Sequence, residues 1–322
     1  MIIAGHIDSR ASDVMNATID APGANDNGSG SALVLEAARL MAGRSHDATI
    51  VFALLSGEEL GLMGGRLLAE HAKAQGWTVT AMLNNDIVGG TRGQNGSVVT
   101  DRVRVFSEGI RFSEALDAQM RRRAIGGEDD GPSRSLSRTA IRVGEARDDI
   151  GLEVFAVRRP DRLSRGGDHL PFLEFGYPAI RFSVAIEDYD HQHQDVRVEN
   201  DTKFGDTADE MDFAYLARVT NLNVAVADEL ARAPIAPTTA TISGAVTPDT
   251  TIAWTPVAGA ARYRVYWRRN DKRDWSDSRI TTANTMKLDN VIIDDNFFGV
   301  ASVSESGAES IVTFAGLPPP AP

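Results

Sequence analysis

The sequence has no cysteine among its 322 residues. Disulfides and thiolate metal sites are therefore excluded, and any bound metal must draw on histidine, aspartate, glutamate or water. The absence fixes no compartment, because exported proteins are permitted disulfides without requiring them. No apolar run reaches the about 18 residues that span a bilayer. Positive charge is scarce: 33 basic residues face 45 acidic ones, a net charge of −12. That argues against a nucleic-acid binder, which needs a basic face. The chain also lacks a basic leader followed by an apolar segment and a cleavage site. Met1–Gly5 reads as an apolar strand that begins at once, so either the protein starts inside a sheet or upstream sequence is missing. What is present is a globular balance, 42% hydrophobic and 24% charged, in a chain long enough for two domains.

A boundary falls at residues 233–237 (APIAP), where proline ends a helical pattern running from Met211 to Arg232. Before it, strands alternate with helices. Thr49–Leu55, Val79–Asn84 and Pro178–Val184 read as buried strands, and residues 30–42, 62–75 and 132–147 as helices. This predicts a three-layer α/β/α sandwich with a mostly parallel mixed sheet over residues 1–232, with sites at the carboxyl ends of the strands. After the boundary, Thr250–Thr255, Arg262–Arg268, Thr282–Leu288 and Phe297–Ser304 are short β-branched or aromatic runs separated by turn residues. They predict a small all-β sandwich over 238–316, followed by a proline-rich tail at 317–322. Trp254, Tyr263, Val265 and Trp267 resemble the core of a fibronectin type III domain.

Of the six histidines, His46 and His71 read as ordinary surface residues. The others stand among acids. His6 and Asp8 are two apart at a strand end and project to one side. Alone they are a histidine–carboxylate pair. Asp26 lies in PGANDNGSG, a glycine-rich run into a helix. A turn with an N-cap explains the run, but not a carboxylate in so tight a turn, where it can bridge two cations. Glu58 and Glu59 follow an apolar strand at once, and side by side they point different ways. One can ligate a metal while the other serves as general base. Asp86 ends a further strand, and Asp188–Asp195 (DYDHQHQD) follows the last. Two zinc ions would be balanced by Asp26, Glu59, Asp86 and a hydroxide, giving the neutral cluster that a half-buried site tolerates.

Together, GHIDS, APGANDNGSGSA, SGEELGLMGG, NNDIVG, GGDHLPFLEFGYPAIRF and DYDHQHQD resemble, in order, the dinuclear zinc aminopeptidases of peptidase family M28. The resemblance spans roughly residues 1–232. It implies that His6 and Asp86 hold one zinc, that Glu59 and His191 hold the other, and that Asp26 bridges them, preceding a cis peptide to Asn27. Asp8 would orient His6, and Glu58 would be general base toward a metal-bridging hydroxide. His191 is chosen over His193 because the family's last histidine precedes an aspartate by four residues, as His191 precedes Asp195. His193 then falls at the rim. Asp168 and His169 would shape the pocket. Some relatives carry a tyrosine just before the last histidine; here Asp190 stands there and Tyr189 one earlier.

The implied substrates are peptides with a free N-terminus. Residues 89–131 and 156–167 are expected to line the pocket, with Arg165 as a contact for peptide backbone or substrate carboxylate. The implied alternatives are a carboxypeptidase or glutaminyl cyclase of the same family, or a truncated, inactive binding protein. The family's catalytic domain normally begins well before the His-x-Asp strand, so 1–232 reads as shortened. Appended sandwich domains in relatives imply a secreted or periplasmic full-length form. Oligomeric state is not legible.

Overall fold

Alternating side chains decide how the central sheet is layered. In β1 (Ile2–His6), Ile3 faces one apolar cluster, while Ile2 and Ala4 face a second. A strand buried on both faces needs helices on both faces. Helices α1 (Gly30–Met41), α4 (Pro132–Glu145) and α6 (Phe213–Ala231) cover the first with Leu33, Leu136 and Leu222. Helices α2 (Met63–Ala74) and α5 (Leu170–Glu174) cover the second with Ala69 and Phe172. The result is three layers. The short α3 (Leu116–Ala124) buries none of its own residues.

The computed structural model describes residues 1–317; the expected tail lies, from 318 on, outside the described residues. The sheet also contains β2 (Val51–Leu55), β3 (Met82–Asn85), β4 (Arg102–Phe106), β5 (Glu153–Val157) and β6 (Ala179–Val184), in the order β2-β1-β3-β6-β4-β5. Neighbours are parallel throughout except β4 against β6. Asp212 caps α6 by accepting the N–H of Tyr215 at 2.9 Å. A hairpin of β7 (Arg197–Glu199) and β8 (Thr202–Phe204) precedes α6.

Beyond the boundary the strands of both sheets pair antiparallel, and a parallel bridge joins Thr241 to Gly316. Strands β9 (Ala240–Ser243), β10 (Thr250–Trp254) and β13 (Thr285–Leu288) form one sheet. Strands β11 (Arg262–Arg269), β12 (Asp277–Thr281), β14 (Asn296–Val303) and β15 (Thr313–Phe314) form the other. Ile252, Trp254, Val265, Phe298 and Val300 fill the space between them. Among the described residues no helix is long and apolar enough to cross a membrane. Residues 89–131, expected as pocket-lining loops, also contain β4 and α3.

Candidate metal centre

His6 is the last residue of β1, Glu58 and Glu59 sit in the turn after β2, and Asp86 follows β3. Parallel strands side by side bring these ends together. Asp26 enters from the turn before α1, where the chain passes close to β3. A β-carbon on Gly30 would lie 2.1 Å from the carbonyl oxygen of Asn85, so only glycine lets the helix start there. The Asp26–Asn27 peptide is cis. Asp206 holds the turn by accepting the N–H of Asn25 at 2.8 Å and of Asp26 at 2.6 Å.

The imidazoles and carboxylates form two groups that meet at Asp26. His6 is fully buried, and its Nδ1 donates to the backbone carbonyl of Asp8 at 3.0 Å. A carbonyl cannot donate, so Nδ1 carries a proton, and in the neutral imidazole Nε2 is the atom with a lone pair to offer a metal. That atom lies 3.3 Å from Asp26 Oδ1 and 3.8 Å from Asp86 Oδ1. On the other side, His193 Nε2 lies 2.9 Å from Asp26 Oδ2 and 3.2 Å from Glu59 Oε1. Ligand atoms of His6, Glu58 and Asp86 lie within 4.8 Å of one another, as do those of Asp26, Glu59 and His193. The carboxylate of Asp8 works indirectly, accepting the N–H groups of Glu58 at 3.2 Å and Glu59 at 3.1 Å. It locks the glutamate turn, while its backbone holds His6.

His191 is not in the centre. Its Nδ1 donates to the carbonyl of Gly205 at 2.9 Å, and its Nε2 faces Asp188 and Glu210 at 3.8 and 3.7 Å. It lines a separate cavity of about 40 Å³ beside Asp206. The positive φ of His193, 59°, turns that residue instead toward Asp26. The expectation that His191 joins Asp26 and Glu59 is therefore corrected to His193. Asp195, which carried the spacing argument, accepts the N–H of Ser12 at 2.9 Å. Tyr189 is 53% exposed and does not line the cleft.

Asp168 and His169 brace the surroundings. Asp168 accepts the N–H of Gly65 at 3.1 Å, and burial pushes its carboxyl up to about 7. His169 donates to the carbonyl of Pro160 at 2.8 Å, and burial lowers its pKa, keeping it neutral. Arg165 lines a cleft of about 290 Å³ together with Glu58, Glu59, Asp86 and His193.

Three positions were missed from sequence. Gln192 donates to Asp26 Oδ2 at 3.1 Å. Arg181, fully buried on β6, lies 3.0 Å from Asp86 Oδ1 and bonds Asp161 at 3.1 Å. Its signal was a charge inside an apolar strand. Asp206 had no local signal.

Zinc fits these residues. Buried His6 Nε2, Glu59 Oε1 and His193 Nε2 have no hydrogen-bond partner, which is costly unless something else meets them. Burial opposes charge on His193, yet Asp26 and Glu59 outweigh it and raise its pKa to about 9. Burial, and then Asp86, push Glu58 up to about 8. The rise at His193, and the part of the rise at Glu58 that comes from Asp86, report negative charge that a cation would neutralise. The mix of imidazole nitrogen and carboxylate oxygen is what zinc accepts.

A three-layer α/β sheet with histidines and carboxylates at its strand ends is the frame of a metallohydrolase. The chain belongs to peptidase family M28, a peptide-hydrolase family whose model matches residues 1–222. A probable zinc metalloprotease of Leptosphaeria maculans is 41% identical over 313 residues, covering 96% of this chain and 72% of its own length. One of Pyricularia oryzae is 40% identical over 322 residues, covering 97% of this chain and 64% of that relative. The LapA aminopeptidase of Legionella pneumophila shares the fold, with a TM-score of 0.50 at 21% identity over 72% of this chain and 51% of that one. The chain thus spans about two thirds of these curated relatives.

Proposed function

We propose that this chain is a dinuclear zinc aminopeptidase. The observation that carries the reading is Asp26, whose two oxygens face different ligand groups, Oδ1 toward His6 and Oδ2 toward His193. His6 and Asp86 would hold one ion, Glu59 and His193 the other, and Asp26 both. When bound, zinc would lower the pKa of its bound water toward about 7 and polarise a carbonyl.

The remaining chemistry falls to the chain. Glu58 lines the cleft without being needed as a ligand. Its raised proton affinity suits a group that takes a proton from the attacking water and passes it to the leaving amine. Asp8 holds the Glu58 backbone so that the carboxylate keeps its aim. Gln192, by donating to Asp26, keeps that carboxylate oriented. The cleft, about 290 Å³, is at the small end for a ligand pocket, which supports removal of single residues over capture of an extended chain.

Residues 238–316 read as a fibronectin type III-like unit, supported by sheets of three and four antiparallel strands. Residues 1–232 are then the catalytic unit and 233–237 the linker.

The test uses zinc-loaded protein and a defined peptide pool, half with acetylated N-termini, read by mass spectrometry. Stepwise loss from free N-termini is expected, with Glu58→Gln lowering kcat by about 10²–10⁴ while keeping its zinc. Trimming from C-termini, or conversion of N-terminal glutamine to a cyclic product, would replace the reading with carboxypeptidase or cyclase. No reaction under any of these conditions would favour a binding protein.

A further inference from the structure

One wall of the cleft is cationic, and neither ligand group uses it. It comes from the segment between β5 and α5. Arg162 there is fully engaged: Nε to Asp161 Oδ1 at 3.1 Å, Nη1 to Glu187 Oε2 at 3.0 Å, Nη2 to the carbonyl of Gly166 at 3.2 Å. Arg181 ties the same segment to the sheet, donating to Asp161 and, at 2.7 Å, to the carbonyl of Gly166. Between these fixed points Ser164 has a φ of 59°, a left-handed conformation that residues other than glycine seldom adopt. Such conformations persist where surrounding structure holds them, and they cluster at functional sites. Here Ser164 and the next residue, Arg165, both line the cleft.

Arg165 differs from Arg162 in having capacity to spare. Its Nη1 donates to Glu187 Oε2 and to Gln192 Oε1, both at 3.0 Å. Among the described residues nothing bonds its Nε or Nη2. Its one carboxylate partner is shared, since Glu187 also pairs with Arg104, at 2.5 Å, and with Arg162, at 3.0 Å, which has Asp161 besides. Three guanidinium groups thus share one carboxylate. Gln192 in turn donates to Asp26, so the guanidinium stands one glutamine side chain from the ligand groups. A preorganised guanidinium with free donors, its carboxylate partner shared, and facing a cleft, is built to take a carboxylate.

We infer that Arg165 anchors a carboxylate of the substrate, so that preferred peptides carry an anionic group close to the scissile bond. Two sources share that chemistry: the side chain of an N-terminal aspartate or glutamate, and the terminal carboxylate of a dipeptide. Substrates with an N-terminal lysine are disfavoured. The inference rests on the peptidase reading for its catalytic arms.

The experiment uses the zinc-loaded full chain and three comparisons. Glutamyl-, leucyl- and lysyl-p-nitroanilide report the side-chain source. Leucyl-glycine against leucyl-glycinamide reports the terminal carboxylate. Calorimetric binding of glutarate against glutaramate, which lacks one carboxylate, needs no turnover. An about 10- to 100-fold advantage in kcat/KM for the anionic member of the first or the second comparison is expected, and the pair that shows it identifies the source. Arg165→Gln should erase that advantage chiefly through KM, and Arg165→Lys should restore part of it. Equal handling of anionic and neutral substrates, or an advantage that survives Arg165→Gln, overturns the inference. If nothing is hydrolysed while glutarate still binds about tenfold tighter than glutaramate, and Arg165→Gln removes the difference, the peptidase reading falls and the anchor stands. If nothing is hydrolysed and the two acids bind alike, both fall.

Discussion

His191 and His193 stand two positions apart, and the shift decides which imidazole meets Asp26. The histidines were legible as a pair in an acidic loop. The choice between them was not, because spacing to Asp195 counts residues while the chain turns by dihedral angle. The positive φ of His193 and the bond from His191 to Gly205 are properties of the folded loop. His6 was simpler to read, since a strand fixes the direction of every side chain along it. The same holds for Asp86 just past β3 and for the glutamates after β2. The outcome for the pair is measurable as zinc per chain. Replacing His193 by Gln should weaken one zinc equivalent by more than the roughly 10- to 100-fold that loss of an outer partner costs, and activity should fall with it. Replacing His191 by Gln should leave both equivalents bound within about tenfold. The reverse pattern would return the ligand role to His191.

At the level of elements, apolar runs in the α/β unit were legible as strands, although β2 is an edge strand with Leu54 42% exposed rather than one buried on both faces. The expected strands at 49–55 and 178–184 correspond to β2 and β6, and the expected helix at 132–147 to α4 (Pro132–Glu145). Strand β4 escaped because it reads Arg-Val-Arg-Val-Phe, with half-buried arginines set between its buried valines. It is also the strand that breaks the parallel order. Just past its end stands Glu108, buried, with its carboxylate accepting the N–H of Phe112 at 3.1 Å. Burial pushes this carboxyl from 4.5 up to about 7. The folded protein therefore keeps a proton that the unfolded chain releases, so stability falls as pH rises from about 4.5 to about 7 and then levels off. At about 1.4 kcal/mol per unit, the loss is up to about 3 kcal/mol. Glu108→Gln keeps an acceptor for Phe112 and cannot ionise. Urea denaturation at pH 5 and pH 8 should show the variant losing less stability than the parent between the two, by about 1–3 kcal/mol. An identical pH dependence in both proteins would mean that Glu108 ionises in the fold at its ordinary pKa.

Across the whole molecule, the boundary between the α/β unit and the β unit was legible and their contact was not, because composition marks a linker but says nothing of which surfaces meet. The contact is core-like. Arg268 of β11 is buried between the rings of Trp275 and Phe297, at 4.3 and 4.8 Å from their centroids. Its Nη2 bonds both oxygens of buried Asp130, at 3.0 and 2.8 Å, and Arg138 of α4 bonds the same carboxylate at 2.9 Å. Around this pair Ser135 Oγ accepts the N–H of Val312 at 2.7 Å, and Glu229 accepts that of Glu309 at 3.0 Å. Every residue lining the cleft beside Glu58 lies between positions 26 and 193, so the β unit contributes none of them. At this contact it packs against α4 and the end of α6. Breaking a buried pair costs about 3–5 kcal/mol when the other charge is stranded; Asp130 keeps Arg138, so loss of Arg268 falls toward the low end of that range. Calorimetry of the parent should therefore show a single cooperative transition. Arg268→Ala should lower it by roughly 5 °C or more, or split off a separate transition for the β unit, while zinc content stays as in the parent. Two transitions in the parent, or an unmoved transition in the variant, would mean that the units fold independently and that the ion pair adds nothing to their union.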